Sequence, residues 1–197
     1  MRPMHYLKII LFPLLIAFTV LSLQGCGSSQ PPLNTVQNLD LQAFMGDWYV
    51  IAHIPTPIEK NSSNHLEQYS LRDDGRIDIR FSLLPDGKTQ RKVYHARARV
   101  LDLQDPAEWK VSFFRPVWFP FHVIYLTDDG RHTAIGLPNR SYLWIMSRDT
   151  QIPQQDYQRI LTHVQNQGYD PSRILEVPQN WENEDSPSPD PEDAPNH

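Results

Sequence analysis

The chain has 197 residues, with 18 Lys and Arg against 23 Asp and Glu, for a formal net charge of −5. Six of those acids, and no Lys or Arg, fall in residues 182–197, so the remainder is nearly neutral and has no basic face for nucleic acid. Cys26 is the only cysteine, which excludes an intrachain disulfide and a multi-cysteine metal cluster.

The first 25 residues begin with Arg2 and Lys8 and continue into an uncharged apolar run, Ile9 to Gly25. A basic start, an apolar stretch and a small-residue exit predict a secretory signal rather than part of the fold. The run ends in Leu23-Gln24-Gly25-Cys26, which resembles the bacterial lipoprotein box. That resemblance implies cleavage before Cys26 and acylation of the new terminus. Gly27, not Asp, follows the cysteine, which in enterobacterial-type sorting implies the outer membrane. Residues 26–38, rich in Ser, Pro, Asn and Gln, are expected to form a flexible tether. At the other end, residues 182–197 combine acids and prolines without apolar side chains to bury, and are expected to be a disordered, solvated spacer.

Residues 39–181 are expected to make one all-β domain. Asp-Gly pairs at Asp74-Gly75, Asp86-Gly87 and Asp129-Gly130, and Asn139-Arg140 after a proline, mark tight turns. Between them lie eight strand candidates, opening on "WYVIAHI" from Trp48 and closing on "YLWIMSR" from Tyr142. Many short strands at close spacing predict an antiparallel sandwich or barrel. Alternation assigns faces. Ile77, Ile79 and Phe81 share one face of their strand, and Tyr94, Ala96, Ala98 and Val100 one face of the next. The alternation also groups Trp109, Val111 and Phe113. Two small alanines in an inward row predict space. After the strands, Tyr157, Ile160, Leu161 and Val164 form an amphipathic helix stripe, with Pro153 expected at the first helical position and Gly168 at the stop. "RILEV" reads as a ninth strand.

Eight strands, a helix and a short strand, opened by Gly46-Asp47-Trp48-Tyr49, resemble the lipocalins, and "WKVSFFRPVWFPFHVIYL" with "RHTAIGLPNRSYLWIMSR" resembles the bacterial outer-membrane lipoprotein members. The resemblance implies an eight-stranded up-and-down barrel with the helix packed outside. Gly46 and Trp48 match the first signature of the family and Arg148 the last, which implies that Arg148 packs across Trp48 at the closed end. The middle signature departs, with Thr127 and Gly130 where an Asp and an aromatic are usual. The expected lumen lining is Ala52 and Ile54, Ile79 and Phe81, Ala96 and Ala98, Val111 and Phe113, then Tyr142, Trp144 and Met146, with Trp118 on an aromatic loop at the mouth. Glu67 shares a face with Tyr69, so it faces either the lumen or, past a bulge, solvent.

An apolar, aromatic lining suits an acyl chain, and the resemblance implies a fatty acid or lysophospholipid ligand, a lipid anchor in the membrane, and a monomer or weak homodimer, without a cofactor. A scaffold lipoprotein with the acidic tail as a docking arm is a second reading. Catalysis is a third: no serine sits in a nucleophile elbow, and the histidines show no metal-binding spacing, so neither a catalytic nor a metal site is expected.

Overall fold

The computed structural model describes residues 30–181; the signal, Cys26 and the acidic tail lie outside them. In chain order the elements are α1 (Leu41–Phe44), β1 (Gly46–Ile54), β2 (Ser62–Leu71), β3 (Arg76–Pro85), β4 (Lys92–Val100), β5 (Glu108–Ser112), β6 (Phe119–Leu126), β7 (His132–Gly136), β8 (Leu143–Ser147), α2 (Gln154–Asn166), a 3₁₀ turn at Pro171–Arg173, and β9 (Leu175–Glu176). Each of the first seven strands pairs antiparallel with the next, β8 pairs back with β1, and β9 adds to β1, so the eight-stranded sheet closes on itself. Closure gives each of the eight a partner on both sides, with unpaired stretches only where strands part. The turns behave as their residues require: Gly75, Gly87 and Gly130 take positive φ, and Thr127 Oγ1 receives the backbone N–H groups of Arg131 and His132 at 3.2 and 3.0 Å. Thr127 thereby organises the turn at which the sequence leaves the usual signature.

Two apolar layers result. The inner one joins Trp48, Val50, Tyr69, Ile77, Ala98, Trp109, Val111, Val123 and Met146. The outer one lies under α2 and joins Ala52, Ile54, Ile124, Leu143 and Ile145 to Tyr157, Ile160 and Val164. Helix α2 thus buries the stripe predicted for it, although Pro153 is its N-cap and not its first residue. Tyr169 completes the docking. Its hydroxyl donates to Leu137 O at 2.9 Å, and a Cβ at Gly136 would lie 2.0 Å from that oxygen. A side chain there would push the tyrosine out of its seat.

Ala52 and Ile54 correct the expected lining. Strand β1 slips register against β8 between Val50 and Ala52: Val50 pairs with Met146, but Ala52 pairs with Ile145. The extra residue is a β-bulge, which re-aims every side chain after it. Trp48 and Val50 face the lumen; beyond the bulge Ala52 and Ile54 face α2, and His53 turns inward opposite Trp144.

Both chain ends of the domain are tied to the wall. Leu33, expected in the tether, is buried in the outer layer, Asn34 exchanges hydrogen bonds with the Gln167 amide at 2.9 and 2.8 Å, and Val36 N donates to Val123 O. The other end wedges between β1 and β2 where they part. There Val177 N donates to Ile51 O, Asn64 N to Pro178 O, and Gln179 Nε2 to Val50 O. Val177 itself joins the inner layer, and Trp181 packs edge-on against Tyr49 on the outside.

Candidate functional site: the interior of a plugged barrel

The closed end is built around Trp48. Its indole N–H donates to Phe44 O at 2.9 Å, and Phe44 stacks at 4.9 Å from it, with Tyr69 and Trp109 at ring distances of 6.0 and 5.5 Å from Phe44. The Arg148 guanidinium lies 3.6 Å from the Trp48 ring centroid. Its donors go to the carbonyls of Asp47 (2.7 Å), Ala43 and Phe44 (3.0 Å each) and Met45 (2.9 Å). One planar cation therefore covers an aromatic face and satisfies the carbonyl end of α1, which leaves no space for water at the base. Gly46 has φ +94°, a conformation that only glycine takes readily, and a Cβ there would stand 3.5 Å from the guanidinium.

Access changes with height. The inward residues near the base, Val50, Ile77, Ala98, Val111 and Met146, are 0% exposed. One step toward the mouth, Ile79, Phe81, Ala96, Phe121 and Trp144 each keep 5 to 7% exposure although all point inward. The second group is thus slightly less closely covered than the first, and two of its members, Ile79 and Ala96, also border the outer groove, although Leu83, Glu59 and His65 near the same end are buried. Ala98, Val111 and Met146, expected in the lining, point inward in this fully buried lower group. From Ala96 to the end of β4 at Lys92 is four residues, or roughly 10 Å of height for strands rising about 3.3 Å per residue and tilted about 40°. Tyr142 stands half-buried at the rim, its ring 6.3 Å from Trp144.

Phe113 and Trp118 need a second correction. Strand β5 ends at Ser112, opposite Arg97, so Phe113 lies past the pairing and is 42% exposed. Both aromatics line an open groove of about 1130 Å³ on the outer wall, with Arg76, Arg80, Arg97 and Arg99; Arg99 stacks on Trp118 at 4.7 Å. The groove also reaches Ile79 and Ala96, because the first half of β4 has no β5 neighbour. The two aromatics flank this side opening rather than the lumen wall.

Polar groups gather on the wall formed by β1, β2 and the loop between them. Glu67 faces inward, paired across from Trp48, and Tyr69 donates its hydroxyl to the Glu67 carboxylate. Burial pushes the Glu67 carboxyl up to about 7, with the Tyr69 hydrogen bond opposing and the Glu59 charge adding. Glu59 is buried too. Its Oε1 accepts from Trp144 Nε1 and its Oε2 from Thr56 N, both at 2.7 Å, and His53 Nδ1 stands 3.5 Å away. Burial alone would raise the Glu59 carboxyl, but His53 and these two donors outweigh it and hold it below the ordinary carboxylate range. His65 lies 5.2 Å from His53, ring to ring. Burial first, then His53 and Arg91, keep it neutral, with its pKa lowered to about 4 against the opposing pull of Glu59. Strand alternation missed His53 and His65 because each sits beside a register shift, in β1 and between Ser63 and Leu66 in β2.

A closed antiparallel barrel with a plugged base and an apolar interior is the architecture of a small-molecule binding protein. The family model described as a lipocalin-like domain matches residues 39–179, and the chain belongs to the lipocalin family, whose members bind and carry small hydrophobic ligands. It is 34% identical to outer membrane lipoprotein Blc of Escherichia coli over 86% of this chain and 97% of that one. It is 32% identical to temperature-induced lipocalin-1 of Arabidopsis thaliana, over 75% and 83% of the two chains. Among solved structures, insecticyanin from the tobacco hornworm Manduca sexta superposes with a TM-score of 0.60 at 16% identity, over 75% of this chain and 84% of that one. Lobster apocrustacyanin A1 gives 0.59 at 15%, over 72% and 80%. At such identities these two bear on the fold alone.

Proposed function

We propose that this protein is a lipid-anchored lipocalin of the bacterial envelope that stores or carries a single-chain amphiphile, a fatty acid or lysophospholipid, with its anchor at Cys26 and its barrel facing the periplasm. The observation that carries the proposal is the inward ring of apolar residues, Ile79, Phe81, Ala96, Phe121 and Trp144, set in a closed barrel above the Trp48–Arg148 plug and centred on the small side chain of Ala96. The stretch of wall from Ala96 to Lys92, about 10 Å tall, would flank about eight extended methylenes, worth roughly 6 kcal/mol at ~0.8 kcal/mol each before the costs of binding. Longer chains bend, or leave through the mouth or the side opening beside Ala96. The relatives named as outer membrane lipoproteins support the envelope setting, and no helix among the described residues is long and apolar enough to cross a membrane.

Native mass spectrometry of the purified chain, stripped of lipid and then mixed with an envelope lipid extract, tests the ligand. One bound fatty acid or lysophospholipid per chain supports the proposal; no adduct with any amphiphile sinks it. Peptide mapping of the membrane-purified protein tests the anchor. Acylated Cys26 as residue one is expected, and an intact Met1 contradicts it.

A further inference from the structure

We propose that His53, Glu59 and His65 form a binding site for one divalent transition-metal ion of the zinc type, set in the upper wall of the barrel. The three come from different places in the chain: His53 from β1 after its bulge, Glu59 from the β1–β2 loop, and His65 from β2 beside its own register shift. One nitrogen of each histidine and one carboxylate oxygen lie within 4.8 Å of one another, and all three residues are buried. His53 Nδ1 and Glu59 Oε1 are 3.5 Å apart. Two ligands of a tetrahedral zinc ion, each bound at about 2.0–2.1 Å, stand roughly 3.3 Å apart. The pair therefore already sits near the edge length of that polyhedron.

The hydrogen bonding says what is missing. His65 Nδ1 is buried and has no hydrogen-bond partner, and His53 Nδ1 is buried facing only Glu59 Oε1, at a long 3.5 Å. Ser62 Oγ donates its only hydrogen to Glu59 O at 2.7 Å, so at 2.8 Å from His65 Nε2 it can only accept. The network thus assigns the proton of His65 to Nε2 and leaves Nδ1 with a bare lone pair turned into a closed space. A buried acceptor without a donor is destabilising unless something fills its coordination. Two buried imidazole nitrogens beside a carboxylate are a zinc-type donor set, suited also to cobalt, nickel and copper, and poorly suited to magnesium or calcium.

The surroundings hold the ligands as an outer shell does. Trp144 Nε1 and Thr56 N fix the two oxygens of Glu59, and Ser62 fixes the ring of His65. Each residue that orients a ligand comes from a different element from at least one of the ligands, so an ion here would clip β1, its loop and β2 together where the two strands part.

The test uses the full chain, dialysed against a chelator and then titrated with Co²⁺ and Zn²⁺. One equivalent of cobalt is expected to give the visible absorption of a four-coordinate ion, lost on adding zinc, and zinc is expected to raise the melting temperature. His53→Ala and His65→Gln should weaken zinc binding at least tenfold and abolish the thermal shift, while His95→Ala should change neither. The absence of a cobalt band and of a zinc-dependent shift in the wild type overturns the proposal. So does zinc binding that both variants retain, which would place it on surface histidines. Should a variant fail to fold, X-ray absorption of the zinc-loaded wild type decides: two imidazoles and an oxygen ligand are expected, and a shell of water or of one histidine contradicts the assignment.

Discussion

Replacing Ala96 by Phe places a ring in the middle of the proposed ligand space. Ala96 points inward from β4, pairs with Ile79, and is one of the interior residues that solvent still touches. A phenyl ring occupies about the volume of four methylenes of ligand, so at ~0.8 kcal/mol each the substitution removes about 3 kcal/mol of binding, roughly a hundredfold in Kd. If the proposed ligand space is there, folding should be little affected, because the ring enters it. Ala98→Phe is the matched control. It adds the same ring two residues lower, on a floor with no exposure, where overpacking costs on the order of 1–3 kcal/mol of stability. Displacement of a fluorescent fatty acid, read through Trp144, together with thermal melts, separates the two effects. If Ala96→Phe binds the probe as well as wild type, or melts as low as Ala98→Phe, the residue does not border empty volume and the reasoning fails.

Three further outcomes follow from named contacts. Arg148→Ala should lower stability by about 2–3 kcal/mol, through loss of the stacking on Trp48 and of the bonds to the carbonyls of Ala43 to Asp47, and should leave ligand affinity within about twofold; Lys should not rescue it. Glu67 binds its proton more tightly folded, at about 7, than at its ordinary 4.5, so its contribution is full below pH 4.5 and fades as pH rises through 7. Glu67→Gln, melted in chelator from pH 5 to pH 8, should lose that fall and be more stable than wild type at pH 8; equal slopes in the two proteins would refute a buried, proton-holding carboxyl. Truncation after Trp181 should leave the melting temperature unchanged, whereas truncation after Ile174 strips partners from the carbonyls of Val50 and Ile51 and removes Val177, and should cost several kcal/mol.

Much of the barrel was legible in local pattern. The alternation in β3 and β4, the Asp-Gly turns and the stripe of α2 each encode their own burial, because neighbours in sequence decide them. What local pattern could not carry is register. A single extra residue at Ile51 moves Ala52 and Ile54 to the helix side and turns His53 inward, and nothing in "WYVIAHI" marks it. Strand length hid Phe113 in the same way: alternation continues through "WKVSFF", but β4 and β5 part after Ser112. The cluster of His53, Glu59 and His65 was invisible to spacing because its members meet across two bulges and a loop. "RILEV", Arg173–Val177, read as a short strand, but the strap that continues to Trp181 and fills the gap between β1 and β2 depends on the splay of strands more than a hundred residues earlier.

A crystal structure of the protein soaked with a sixteen-carbon fatty acid puts the partly open lumen to the test most directly. Alkyl density between Ile79, Ala96, Phe121 and Trp144, ending above Val111 and Met146, is the expected result. Side chains filling that volume, with the fatty acid absent or seated only in the outer groove beside Arg97 and Trp118, would contradict it.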